Sequence, residues 1–280
     1  MADGLASSGP WEFEVDLLGT RIRTRVDDPV LARRLQHLLG DSQALPAGRD
    51  VESFEIAGAD GSDWILRRNG GGIFRTDTRQ RLVEHYFSIL NELALDNFSG
   101  LAVHAGVVAQ GRCAIAFPGP SGAGKSTLVA ACVAAGFDYV SDEALCINLS
   151  GDLVPYPRPL MLSEASRRVV RPTEVIPNPL PSKHAVSPAD LGGRASHSPL
   201  QLTHVILADR GGALGLEAIP SSQVIPELLE RSFNRHGDPA ATFNLVANVA
   251  RDCRAWHLGY TNAMEAAGLI RRDVPFQTTC

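Results

Sequence analysis

The sequence predicts an α/β domain built around a glycine-rich loop, preceded by a sheet-rich α+β region. Three observations carry that expectation. The apolar run Cys113 to Phe117 leads into Gly119-Pro120-Ser121-Gly122-Ala123-Gly124-Lys125-Ser126, and Thr127 to Ala135 continues with a helical pattern. Short stretches that alternate apolar and polar residues occupy roughly the first 75 positions. From Leu202 to Arg271, strand-length apolar runs alternate with helical ones. On this division, residues 1–97 form the N-terminal region with its connecting helix, and 98–280 form the loop-bearing domain, which includes a basic loop at 163–200.

The elements follow in order. Trp11 to Val15 and Arg21 to Val26 read as a hairpin around Leu18-Gly19-Thr20. Asp28-Pro29 starts a helix that runs to about Leu39, since proline is tolerated only in a first turn. Ser53 to Ile56 and Trp64 to Arg67 read as a second strand pair joined by Gly58-Ala59-Asp60-Gly61. Thr78 to Asn97 is a helix with Leu82, Val83, Phe87, Leu90 and Leu93 on or near one face. Leu101 to Ala109 is an apolar strand that Gln110-Gly111 turns into the strand feeding the loop, and it carries His104. Phe137 to Glu143 is a short strand closing on two acids, and Ala144 to Pro155 is a hairpin. Pro157-Arg158-Pro159 is extended, because a residue before proline avoids the helical region. Residues 163–200 combine six prolines with Arg167, Arg168, Arg171, Lys183, His184 and Arg194, a short helix followed by a long basic loop. Leu202 to Ala208 is a strand, with Gly215 to Ile219 as its expected partner; helices at Ser222–Ser232, Pro239–Asp252 and Ala263–Arg271 and a strand at Ala255–Leu258 end the chain.

The loop satisfies every fixed position of G-x-x-x-x-G-K-[ST]. Glycines let its backbone turn successive N–H groups toward one phosphate chain, and the following helix adds the positive end of its dipole. Lys125 can reach the β and γ phosphates, and the Ser126 hydroxyl can ligate Mg²⁺. Asp142 and Glu143 stand about twenty residues further on at the end of a strand, where a nucleotide fold places its metal ligand or base. A histidine inside an apolar strand, as His104 is, is on residue grounds more often a packed core residue than a catalyst.

Composition narrows the classes. At 280 residues with 44% hydrophobic content the chain can bury a large core, and its net charge of −5 argues against the nucleic-acid backbone or an anionic membrane as its main partner. No run is long enough to span a membrane, and the start Met1-Ala2-Asp3-Gly4 lacks signal-peptide character, so a cytoplasmic location is expected. The cysteines at 113, 132, 146, 253 and 280 are scattered and odd in number, which favours reduced thiols over a disulfide framework or a zinc site. Of 26 basic residues only Lys125 and Lys183 are lysine. Where this chain otherwise uses arginine, a retained lysine marks a place for a compact, flexible ammonium.

Taken together, His104, the 119–126 loop, Ser141-Asp142-Glu143 and Pro157-Arg158-Pro159 resemble the catalytic domain of the HPr kinase/phosphorylase family. That family carries a histidine on the strand before the loop, a loop of the form G-x-S-G-x-G-K-S, and an Ala-Asp-Asp-like acid pair about twenty residues on. The likeness covers residues 100–160 well and 200–270 loosely. The chain is similar in particular to the shorter HPr-kinase-like proteins, some of which modify precursor peptides in clusters such as those for lasso peptides. The resemblance implies a P-loop kinase fold, ATP and Mg²⁺, and transfer of the γ-phosphoryl group to a serine hydroxyl of a peptide or protein. By position, Asp142 matches the acid that takes the hydroxyl proton, and Glu143 with Ser126 would hold the metal. Lys125 with Gly119, Pro120, Ser121, Gly122, Ala123, Gly124 and Thr127 would hold the nucleotide, His104 matches the histidine near the reacting groups, and Arg194 is the candidate for the catalytic arginine. The pair here is Asp-Glu where the family has Asp-Asp, so the division of base and metal between them stays open. Two other readings keep the loop: a nucleotide-sensing module without transfer, and a kinase of a small-molecule hydroxyl. No nucleic acid or membrane partner is expected, and a homo-oligomer is left open.

Overall fold

The computed structural model describes residues 10–40, 51–58, 63–171, 183–197, 200–233 and 239–276. Trp11–Leu17 (β1) and Thr20–Val26 (β2) pair antiparallel. Leu18 and Gly19 between them both hold positive φ, 54° and 85°, the twist that a two-residue hairpin requires. Asp28 caps Pro29–Leu39 (α1), its carboxylate accepting the Leu31 N–H at 2.6 Å. α1 carries the chain across to Val51–Gly58 (β3), which runs parallel to β2, a pairing that no tight turn can make. Trp64–Arg68 (β4) and Gly71–Thr76 (β5) complete a five-stranded sheet in the order β1-β2-β3-β4-β5. β5 is not legible in the sequence, because its glycines carry no strand preference; pairing with β4 creates it. Arg79–Asp96 (α2), capped by Thr78, buries Leu82, Tyr86, Phe87 and Leu90 in this layer, and the Tyr86 hydroxyl meets Thr24 Oγ1 at 2.6 Å.

The rest is a mixed sheet with helices on both faces. Gly100–Gln110 (β6) and Cys113–Pro118 (β7) pair antiparallel, and Lys125–Ala134 (α3) follows the glycine-rich loop. Asp138–Ser141 (β8) and Ala144–Asn148 (β9) pair with the other edge of β6, and Leu153–Val154 (β10) pairs with β9. A two-stranded ribbon, Leu160–Leu162 (β11) with His184–Val186 (β12), flanks the short helix Glu164–Val170 (α4). Gln201–Arg210 (β13), Gly215–Ile219 (β14), Val224–Glu230 (α5), Pro239–Asp252 (α6), Arg254–Tyr260 (β15) and Ala263–Asp273 (α7) close the chain. The sheet order is β10-β9-β6-β7-β13-β15-β14, with β8 beside β6.

This order corrects one expectation. β14 pairs with β15 and not with β13, because β15 inserts between them, parallel to β13. β15 buries Ala255, Leu258 and Tyr260 and suits the interior, whereas β14 is half-exposed along its length and suits the edge. α3 and α7 pack on one face with Ile115, Phe117 and Ile206, while α5 and α6 pack on the other with Ala114, Ala116 and Val205. Gly106 lets α3 approach β6: a Cβ there would stand 2.5 Å from Val129 Cγ2. Ala102, Ala144, Cys146, Tyr156 and Met161 share one buried cluster with the N-terminal layer, so the two sheets meet through a continuous apolar core.

Of the five cysteines expected as reduced thiols, Cys132, Cys146 and Cys253 are free and buried, whereas Cys113 is disulfide-bonded. Cys280 lies outside the described residues, as do the expected turn at 59–61 and the proline-rich stretch 172–182. No described helix is long and apolar enough to cross a membrane.

Candidate functional site

Strand direction gathers the candidate residues at one edge of the sheet. β7, β13 and β15 are mutually parallel, so their C-terminal ends, with Arg210 and Tyr260, lie together at the edge where the loop leaves β7. β6 runs the other way, which brings its N-terminal half to the same edge: Ala105 faces Pro118, and His104 is the next residue out. β8 is antiparallel to β6, so it too ends there, and Asp142 and Glu143 follow immediately. The edge beyond the C-terminal ends of strands is where α/β folds place their ligands.

Within the loop, Gly122 and Gly124 hold φ of 84° and 91°. Gly124 is also the residue before the first turn of α3, and a Cβ on it would meet Tyr260 Oη at 3.2 Å and Arg210 Cδ at 3.3 Å. Position 124 thus excludes a side chain on two counts, backbone conformation and space. Lys125 is buried, and its Nζ donates to the carbonyls of Gly119 at 2.8 Å and Pro120 at 2.7 Å. Burial lowers its pKa to about 8, against the pull of Glu143. Thr127 Oγ1 does not face the loop but meets Ser166 Oγ of α4 at 2.7 Å, tying α4 to α3.

The two acids part company. Asp142 is buried: Oδ1 accepts from the Tyr139 hydroxyl at 3.2 Å, Oδ2 accepts from the Met161 N–H at 3.1 Å, and Arg158 Nη2 stands 3.2 Å from Oδ1. Glu143 is half-buried; its Oε2 accepts from Arg158 at 2.8 Å and its Oε1 faces His104 Nδ1 at 3.4 Å. Burial works to raise the Glu143 pKa, but His104, Arg158 and Lys183 outweigh it and hold the value at about 2. Glu143 is therefore a carboxylate throughout the neutral range. Arg158 is itself buried, a cost that Asp142 and Glu143 together more than offset, so its pKa is raised.

His104 Nδ1 also lies 3.1 Å from the Glu143 carbonyl oxygen. Nδ1 is thus engaged with the Glu143 residue through both its backbone and its side chain. Phe233 stands edge-on to the imidazole at 5.5 Å. The segment bearing it pairs with β6 where β7 has ended: His104 N–H donates to Arg231 O at 2.8 Å and Phe233 N–H to Ala102 O at 2.8 Å. Arg231 thereby enters the surroundings of Lys125, and its charge, like that of Lys183, bears on Lys125. Neither cation announces itself in the sequence as a site residue by spacing; Arg231 arrives through a tertiary pairing, and Lys183 through the docking of β12 on the N-terminal layer.

The expected constellation is thus brought together at His104, Lys125, Asp142 and Glu143, with Gly119 to Ser126 beside them. Arg194 is not part of it. Its guanidinium pairs with Asp138 at 2.7 Å, at the opposite end of β8 from the acids, with the side chain 81% exposed. Arg158, expected only as an extended segment, instead joins both acids. Among the described residues no group of three or more His, Cys, Asp or Glu could hold a metal ion by itself.

Neither a scan against protein-family models nor a search of curated proteins returns a match.

Proposed function

We propose that this protein is a kinase of the HPr-kinase-like kind that binds Mg-ATP at Gly119 to Ser126 and transfers the γ-phosphoryl group to a serine hydroxyl of a peptide or protein. The observation that carries the reading is the meeting, at one sheet edge, of a buried loop lysine, a carboxylate held ionised, and a histidine whose Nδ1 faces that carboxylate and its backbone carbonyl. In the reaction the serine oxygen forms a bond to the γ-phosphorus as the bond to the β–γ bridging oxygen breaks. ADP carries away that electron pair, and the hydroxyl proton passes to His104 Nε2. The loop amides and Lys125 hold the phosphates, and Arg231 adds positive charge toward the transferring group. A phosphate-bound Mg²⁺ needs only one or two protein oxygens, and Ser126 and Glu143 are the residues that would hold it. The metal would neutralise charge on the phosphate oxygens. Asp142, whose oxygens are committed to Tyr139, Met161 and Arg158, acts by fixing Arg158 and through it Glu143.

The test is mass spectrometry of reactions of Mg-ATP with serine peptides, with free serine, and with no acceptor. Phosphopeptide formed by the wild type and reduced about a hundredfold in His104→Asn, with nucleotide affinity unchanged, is the expected result. Nucleotide binding with no phosphorylated product would replace the kinase reading with a sensing module, and phosphorylation of free serine alone would replace the acceptor.

A pH dependence follows from Lys125. An anion bound beside it favours the ammonium form, so its pKa must rise on binding from about 8. Below that value the lysine is charged in both states and ATP affinity should be flat. Above it, binding requires proton uptake, and the Kd should rise up to about tenfold per pH unit. Isothermal titration in buffers of different ionisation enthalpy reads this directly. An affinity that stays constant between pH 7 and 10 would contradict it.

A further inference from the structure

A groove of about 420 Å³ lies between α1 and α2 of the N-terminal layer on one side and α4 and β12 on the other. Among the described residues its charged lining is one-sided: Arg34, Arg79, Arg167, Arg171 and Lys183 against the carboxylate of Asp190. Asp190 is already engaged by His37 at 3.0 Å and Arg34 at 3.6 Å, and Arg79 by Asp28 at 2.8 Å. Arg171 and Lys183 have no carboxylate within ion-pair distance of their side chains among the described residues. Between these cations the floor is apolar, formed by Leu31, Val83, Leu162 and Leu191, and Val30 stands 63% exposed at the groove.

One contact and one longer-range electrostatic influence relate the groove to the loop. α4, which supplies Arg167, is tied to the first turn of α3 by the Ser166–Thr127 hydrogen bond. Lys183 lies within electrostatic range of both Lys125 and Glu143. An occupant of the groove therefore lies against α4 and Lys183, the parts of its wall that relate to the loop helix and to the charge around Glu143. A small dicarboxylate would satisfy the cations but leave the floor uncovered, whereas a chain that presents acidic and aliphatic side chains in alternation matches both features.

We infer that this groove binds the acceptor as an extended acidic peptide segment, its carboxylates on Arg171 and Lys183 and its aliphatic side chains on the floor between α1, α2 and α4. That the bound segment is the acceptor rests on the proposed function; the binding itself does not. The N-terminal layer thereby contributes directly to substrate binding, since α1 and α2 form one wall of the groove.

Fluorescence anisotropy with two labelled peptides, Asp-Leu-Glu-Leu-Ser and Lys-Leu-Lys-Leu-Ser, tests it on the full chain without nucleotide. The acidic peptide should bind and the basic one should not. Arg171→Glu and Val30→Asp, both away from the loop, should each weaken the acidic peptide about tenfold or more, with ATP affinity and the circular dichroism melt unchanged. Equal binding of the two peptides, or variants that bind the acidic peptide like the wild type, would overturn the inference; so would competition by succinate at the peptide's own affinity. If the acidic peptide binds as stated but is never phosphorylated, the groove stands and the kinase reading fails. If other serine peptides are phosphorylated while the acidic one is ignored, the kinase reading stands and the groove fails.

Discussion

Lys125→Ala should lower phosphoryl transfer about a thousandfold, on the order of 4 kcal/mol of transition-state stabilisation, while leaving the protein folded. Two features set the size of the effect. The ammonium is the one cation whose stem rises from the loop helix itself, and it sits in a buried position where Coulomb interactions are weakly screened. The fold tolerates the loss because burial disfavours this charge, as its lowered pKa shows, so its removal relieves a desolvation cost. Pro120 is exposed and its carbonyl keeps the Ala123 N–H at 3.3 Å, so the buried Gly119 carbonyl is the one left without the ammonium, a single neutral acceptor set against the relieved charge. Single-turnover transfer from labelled ATP, alongside a thermal melt, separates the two effects. Transfer within a few-fold of wild type would remove Lys125 from the chemistry.

The second large effect divides the acid pair. Glu143→Gln should reduce transfer roughly a hundredfold or more, because it removes the charge proposed to face the metal, and it should also cost stability, because His104, Arg158 and Lys183 hold this carboxylate ionised, although Arg158 keeps Asp142 as a partner. Asp142→Asn should act first on folding. It takes the charge from a fully buried carboxylate whose partner Arg158 is itself buried, a loss on the order of 3 kcal/mol. Urea unfolding and transfer rates measured on both variants give the pattern. The reverse result, with Asp142→Asn stable and inactive and Glu143→Gln active, would restore Asp142 as the reacting carboxylate.

The difference between these acids shows what sequence can and cannot reveal. The Gly119 to Ser126 pattern and the strand and helix around it are local, and the structure places them as their residues indicate. Adjacent acids after a short strand are equally legible as a pair. Which of them faces inward depends on Tyr139 and Met161, contributed by a buried strand and by a ribbon that the sequence does not announce. Arg194 stands in the right stretch of chain and the wrong place, since β8 is only four residues long and its two ends point to opposite edges of the sheet. Arg231 is the converse case. Nothing around it marks a site, and a bridge between Val103 and Ser232, which no local pattern encodes, delivers it. The expected β14 pairing fails for the same reason: β15, a strand much further along the chain, takes the place that sequence proximity suggests.

Lys183 gains the most from the structure. Its being one of two lysines among 26 basic residues suggests a specific role, and the structure sets it between the groove and Glu143. In the proposed reading it would therefore serve both the carboxylates of an acidic peptide and the charge around a transferring phosphate.

The most direct measurement of the central claim is the stoichiometry of ADP and phosphoserine in one reaction with Mg-ATP and an acidic serine peptide. The account requires one phosphoserine for each ADP, both abolished together in Lys125→Ala. ADP released with inorganic phosphate alone, or tight Mg-ATP binding with neither product, would contradict it.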